Sequence, residues 1–245
     1  MMTITRNLTA LGAALTLSAA AAAQAAPRSA GHWEGKIHMG ANEVPMTVDL
    51  AQDASGAWIG SFTVPGSTQV DVPLTGITAT DSSVHFVLSF PDNPSFDGKL
   101  SADGTSISGT ASNSQGSVGF DLARTGDAHV NVAPPSSVLP VEFVGRWEGA
   151  VSAEGKQLRV AFVLTPAPDG KATGTLISVD QGGQEFKAST VTVDGKKLIF
   201  ESRSISAVFT GTLGDDGAIT GEWSQGGARL PLALKREGAA VQKPL

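Results

Sequence analysis

The sequence predicts an all-β protein: two tandem eight-stranded antiparallel up-and-down β-barrels behind an N-terminal signal peptide. Three observations carry that expectation. A pentapeptide, GHWEG at 31–35, returns as GRWEG at 145–149. Apolar residues repeat at spacing two between dense Asp-Gly and Gly-Gly turn signals. Glycine reaches 29 of 245 residues, with many Ser and Thr, the balance of short strands joined by tight turns.

The first 26 residues stand apart from the fold. Arg6 supplies a positive start and Leu8 to Ala23 an apolar stretch. Ala23-Gln24-Ala25-Ala26 offers the small residues a signal peptidase requires, so cleavage is expected near Ala25/Ala26. The apolar stretch is shorter than a membrane span, and no second one approaches that length, so no membrane span is expected. A lipid anchor needs a cysteine after the signal, and the chain has none. The same lack excludes a disulfide framework. Each unit must then hold by core packing alone, which takes about 100 residues. The expected location is periplasmic or secreted.

The repeat runs far beyond the pentapeptide. Trp33 and Trp147 stand 114 residues apart, and the same spacing pairs Gly56 with Gly170, Gly60 with Gly174 and Phe86 with Phe200. The register slips by one residue where Phe96 meets Phe209, and by one more where Arg124 meets Arg236. Both slips can be placed in turns. The period is domain-sized, not the short period of a solenoid. The expected layout is a signal peptide at 1–26, a first barrel at 31–126, a linker at 127–144, a second barrel at 145–238 and a tail at 239–245. Pro134-Pro135 and Pro140 make the linker extended and semi-rigid, about 3 Å per residue.

In the first copy the strands fall at roughly 31–39, 43–51, 57–64, 69–78, 83–90, 95–101, 105–112 and 117–124. Val84, Phe86, Leu88 and Phe90 alternate, as do Leu230, Leu232 and Leu234 in the second copy. Asp103-Gly104, Asp169-Gly170, Asp194-Gly195 and Asp216-Gly217 supply the positive φ angles of tight hairpins. Eight meandering strands avoid open edges by closing into a barrel. The competing arrangement, a two-sheet sandwich, needs longer crossing connections.

A Gly-x-Trp on the first strand with an Arg near the end of the last resembles the calycin pattern of lipocalins, fatty-acid-binding proteins and avidins. Gly31-His32-Trp33 with Arg124 carries the resemblance in the first copy, and Gly145-Arg146-Trp147 with Arg236 in the second. It implies a structural signature, with Trp33 and Trp147 packed at the closed ends and Arg124 and Arg236 lying across them. Burying a tryptophan of about 200 Å² contributes up to about 5 kcal/mol, and the cation stacking about 1 more.

The second copy has a further resemblance over nearly all of 145–236. The stretches GRWEGAVSAEGKQLRVAFVL, SVDQGGQEF and FTGTLGDDGAITGEWSQGGARLPLALKR are similar to an accessory β-domain of unknown role. That domain precedes the catalytic domain in secreted bacterial α/β-hydrolases and related serine hydrolases. The first copy departs from it, since Ala111 stands in the place of Trp223 and the Gln-Gly-Gly of 225–227 is lost.

The chain is not expected to be an enzyme, and no catalytic residue is assigned. No Gly-x-Ser-x-Gly elbow occurs and a cysteine nucleophile is impossible. No phosphate-binding glycine motif opens a helix, so no cofactor is expected. The net charge is −6, with Lys and Arg scattered, which argues against nucleic acid. His32 and His38 lie about 20 Å apart along one strand. His85 faces outward, His129 falls in the linker, and the second copy keeps none of these, so no metal is expected. Glu34, Glu148 and Asp49 point away from the cores. Trp58 has Ala172 as its counterpart, so the fold does not demand an aromatic there. With Phe62, Phe90 and Pro65, Trp58 is expected to line an opening of the first barrel and bind a ligand. The Gly-rich loop from Val179 to Phe186 occupies the corresponding end of the second.

Three functions fit these observations. The first is a secreted or periplasmic non-catalytic binding or interaction module, meeting a protein or cell-envelope partner through paired weak sites. The second is a lipocalin-like carrier of a small apolar ligand. The third is a periplasmic protease inhibitor, with Pro27 to Ala30 as its plug. A cavity of several hundred Å³ in either barrel favours the carrier. A core filled by side chains such as Trp33, Phe62, Phe86 and Phe120 favours the interaction module.

Overall fold

The computed structural model describes residues 27–153 and 155–237; the expected signal peptide and tail lie outside the described residues. The first unit consists of β1 (Gly31–Met39), β2 (Asn42–Gln52), β3 (Trp58–Thr63), β4 (Val72–Ala79), β5 (Ser83–Leu88), β6 (Ser95–Leu100), β7 (Ser106–Asn113) and β8 (Gly116–Gly126). Each strand pairs with the next, and β8 returns to β1, so the sheet closes into the expected eight-stranded barrel. Period-two patterning produces it. On β5, Val84, Phe86 and Leu88 are buried while the residues between them are partly exposed. The barrel centre is filled: Phe86 stacks on Phe96 at 4.9 Å, and Phe96 meets the edge of Phe120 at 5.3 Å.

The second unit consists of β9 (Gly145–Ala153), β10 (Lys156–Pro166), β11 (Ala172–Ser178), β12 (Gln184–Lys187), β13 (Thr190–Asp194), β14 (Lys197–Ser202), β15 (Ala207–Leu213), β16 (Ala218–Gln225) and β17 (Ala228–Arg236). It is a curled sheet in the order β12-β11-β10-β9-β17-β16-β15-β14-β13. This corrects the expectation of a second closed eight-stranded barrel. The strand equivalent to β4 is broken at Ala188-Ser189. Its first half, β12, pairs with β11, and its second half, β13, pairs with β14. The break leaves a gap between the start of β11 and β13.

Ser136 to Leu139 of the 127–144 segment fill that gap, so part of the linker expected to be extended and semi-rigid is built into the second unit. Ser137 donates its N–H to Val191 O at 3.0 Å and accepts from Ala172 N–H at 2.7 Å. The hydroxyls of Ser136 and Ser137 accept the N–H groups of Val191 and Val193. Leu139 N–H reaches Gly170 O at 3.1 Å, and Leu139 is buried in the second core. Prolines at 134, 135 and 140 have no N–H to donate, so the serines carry the pairing and the segment forms a strap instead of a full strand.

Both closed ends follow one plan. Trp33 and Trp147 are fully buried, and their Nε1–H groups donate to Ser29 O at 3.1 Å and Phe143 O at 2.8 Å. The Arg124 guanidinium lies 5.0 Å from the Trp33 ring centroid, and that of Arg236 lies 4.6 Å from Trp147. Each arginine also donates to backbone carbonyls of the segment entering its unit. The last glycine of each pentapeptide is demanded by a neighbouring strand. A Cβ on Gly35 would sit 1.9 Å from Asp121 O, and one on Gly149 would sit 2.3 Å from Ala233 O.

Candidate functional site

The end of the first barrel opposite Trp33 is open. There the ends of β1, β3, β5 and β7 meet the starts of β6 and β8 around a hollow of about 580 Å³. Phe96 lies at its base, and Ile37, Phe62, Leu88, Phe90, Ala111 and Val118 are among the wall residues. Phe62 and Phe90 meet edge to face at 6.0 Å. Gln69, Asn113 and Gln115 bring neutral amides to it, and no charged side chain lines it. An apolar wall with a few neutral hydrogen-bonding groups suits an uncharged apolar molecule, because a charge would lose its hydration with no partner inside.

Two loops frame the opening. In the 64–71 loop, Val64 N–H donates to Gln69 O at 3.0 Å and Asp71 N–H donates to Thr63 Oγ1 at 3.0 Å. In the 89–94 loop, Asp92 accepts Ser114 N–H at 2.7 Å, which ties this loop to the β7–β8 turn. Hydrogen bonding from Ser114 holds the Asp92 carboxyl below its ordinary value. The non-glycine residues with left-handed φ among the described ones are Asp71 at 53°, Asp92 at 70°, Asn93 at 41° and Ser206 at 51°. The first three lie on these two loops, and the fourth touches one of them. Such backbone conformations gather where the surroundings hold a loop in one shape.

Ala111 keeps the hollow open. It pairs with Phe96 across β6–β7, as Trp223 pairs with Phe209 across β15–β16. In the second unit the Trp223 indole is buried and packs edge-on to Phe162 at 6.0 Å. The walls change in the opposite sense. The positions of Leu88 and Phe90 correspond to Ser202 and Ser204, which are buried and 3.1 Å apart.

The structure brings Phe62 and Phe90 together and leaves Trp58 out of the hollow. Trp58 begins the six-residue β3, opposite Gln52, at the Trp33 end of the barrel. Its Cα is about 13 Å from that of Phe62 along the strand. Alternation put both side chains on one face, but position along the barrel axis separates them. Pro65 is also absent from the hollow's wall.

Three of the four histidines are paired across strands. His32 Nδ1 lies 2.8 Å from Asp49, His38 Nε2 lies 2.8 Å from Asp121, and His85 Nδ1 lies 2.7 Å from Asp97. Among the described residues no group of three or more His, Asp or Glu is arranged to hold a metal ion. Glu34 and Glu148 are exposed and face the residue two before them, His32 at 3.4 Å and Arg146 at 2.9 Å. Asp49 is buried, unlike the expectation for an outward residue, because the chain beyond β8 covers it. It accepts the His129 N–H at 2.7 Å and so pins that segment to the first barrel. Pro27 to Ala30 is engaged within its own barrel, where Ser29 O accepts from Trp33 and the Arg28 and Ala30 carbonyls accept from Arg124. In the second unit the loop after β11 is tied down by Arg159, whose Nη2 donates to Asp180 at 2.7 Å.

No family model matches the chain, and no curated protein matches it. Two solved structures share some likeness. One is a protein of unknown function of the DUF3598 family from Nostoc punctiforme PCC 73102, at 10% identity and a TM-score of 0.22, covering 85% of this chain and 96% of that one. The other is a candidate outer membrane protein from Bacteroides fragilis NCTC 9343, at 12% identity and a TM-score of 0.27, covering 85% and 97%. Overlap this weak carries no argument about what the chain does.

Proposed function

We propose that this chain is a non-catalytic, extracytoplasmic binding protein whose first unit takes a small uncharged apolar ligand at its open end. One observation carries the reading: an apolar hollow of about 580 Å³ without a charged wall residue. That volume lies within the range of small-molecule sites. Trp33, Phe62, Phe86 and Phe120 fill the barrel centre, so the ligand is held at the mouth and not in an interior cavity of lipocalin type. The extracytoplasmic location rests on the signal-like composition of residues 1–26. The buried Trp-Arg closures support the calycin-like reading, in which one end is sealed and the other receives the ligand.

The test is calorimetric titration with three ten-carbon chains differing only in the head: decanol, decanoate and decylammonium. Decanol is expected to bind at least tenfold more tightly than either ion, since the hollow has no counter-charge for them. Equal binding of all three, or of none, would remove the basis of the proposal.

A further inference from the structure

The 64–71 loop of the first unit is gripped by the second. Arg203, at the 3₁₀ turn Arg203–Ile205 after β14, has a mostly buried side chain, 14% exposed. Its Nη1 donates to Asn131 O at 2.6 Å and to Asp71 O at 3.3 Å, while its Nε is held by Glu201 at 3.1 Å. Asn131 Nδ2 in turn donates to Asp71 Oδ2 at 2.9 Å. One residue beyond that turn, the Ser206 hydroxyl donates to Thr68 O. Ser206 itself holds a left-handed φ of 51°, which a residue with a Cβ adopts at some cost. The loop so gripped is the one that brings Val64 and Gln69 to the hollow.

We infer that the second unit is a positioning domain for the ligand site of the first, with Arg203 and Ser206 as its positioning residues. The inference rests on the reading of the hollow as that site. One guanidinium nitrogen, Nη1, serves carbonyls on two different segments, and the planar group fixes it in place because Nε is held on Glu201. Releasing it frees the 64–71 loop and with it the Gln69 amide. A ligand that needs the framed hollow must then order the loop itself, which lowers its apparent affinity. Linkage makes the effect reciprocal, so ligand bound in the first unit tightens the 203–206 turn of the second.

The experiment uses the full chain and the neutral fluorophore N-phenyl-1-naphthylamine. Arg203→Ala is expected to weaken probe binding about fivefold, at the low end of measured couplings between sites. Arg203→Lys, which keeps the charge but not the fork, is expected to restore only part of it. Ser206→Gly deletes the hydroxyl while relieving the left-handed strain, so it leaves the second unit folded and is expected to weaken the probe by a smaller factor. In the native chain, saturating probe is expected to slow amide exchange at residues 203–206. Native affinity in Arg203→Ala and Ser206→Gly, with unchanged exchange at the turn, overturns the inference while the hollow stands as the site. Failure of the native chain to bind the probe removes both.

Discussion

The two units share one sequence pattern and close in different ways. The first closes by pairing its own β3 with β4, through Ser61 opposite Pro73 and Phe62 opposite Val72. The second breaks the equivalent strand and is completed by the Ser136-Ser137 strap. The contents differ as well. The first keeps Ala111 under an open end walled by Leu88 and Phe90, whereas the second places Trp223 there and has Ser202 and Ser204 in the wall. A duplicated fold has thus kept the sealed end, with its Trp, Arg and Gly, and changed the other. The sealed end is set by close approach and burial, which tolerate little. The open end is where side-chain volume is free to vary.

Substitutions at Trp223 press hardest on this contrast. Trp223→Ala removes a buried indole, and the expected loss is about 3–5 kcal/mol of stability in denaturant unfolding. The same variant is expected to bind a neutral apolar fluorophore in the second unit. A cost under about 1 kcal/mol would mean that the indole does not fill that end.

The strap separates the two modes of closure. Ser137→Pro removes the N–H given to Val191 and the hydroxyl offered to Val193, at an expected cost of about 2–4 kcal/mol. Ala133→Pro, one residue before Pro134, is expected to change stability by less than about 0.5 kcal/mol. Equal effects at 133 and 137 would return the segment to the role of a passive connector.

Phe90→Ala and Trp58→Ala divide the aromatic group that the sequence assembles. Phe90→Ala is expected to weaken ligand binding about fivefold, on the order of 1 kcal/mol of lost contact. Trp58→Ala is expected to leave affinity within about twofold, because Trp58 sits at the other end of β3. The reverse order would move the site to the Trp33 end.

The smallest expected effect is acidic. Asp92 titrates below its ordinary value in the folded protein, so its hold on Ser114 is present above about pH 3.9 and fades as pH falls through the lowered value. Asp103, brought to about 2 by Ser101 and Thr105, holds its turn further into acid. Ligand affinity is expected to be flat from pH 7 to 5 and to weaken mildly only as pH falls through the lowered Asp92 value, beneath about 3.9. In Asp92→Ala that acid weakening should be absent. A fall in affinity between pH 7 and 5 would point to a different titrating group.

Much of this architecture is legible in residue patterns, for physical reasons that can be named. Alternation at spacing two and Asp-Gly turns place the strands of the first barrel within a few residues of those observed. The duplicated Trp and Arg mark the sealed ends, because burial and cation stacking constrain both residue types. Phe62 and Phe90 stand out as aromatics on an inward face. What escapes is set by tertiary contact. Asp49 alternates outward, yet is covered by the segment carrying His129. Ser136 and Ser137 have a linker's composition, and only the broken strand beside them gives their hydroxyls partners. Arg203 follows Ile199 and Glu201 on the outward face of an alternating run, and alternation says nothing of its partners Asp71 and Asn131, which lie outside its own unit. The exchange of Ala111 for Trp223 is visible in the two copies, but the strand register is needed to show that it empties one end and fills the other.

Ala111→Trp puts that exchange to an experiment. The substitution gives the first unit the residue of the second at the matching place, facing a hollow of about 580 Å³. Titration of the native and substituted chains with N-phenyl-1-naphthylamine, beside denaturant unfolding of each, is the measurement. The expected result is loss of at least tenfold in affinity with stability kept within about 1 kcal/mol. Undiminished binding by a folded Ala111→Trp chain would place the ligand elsewhere and contradict the open-end assignment.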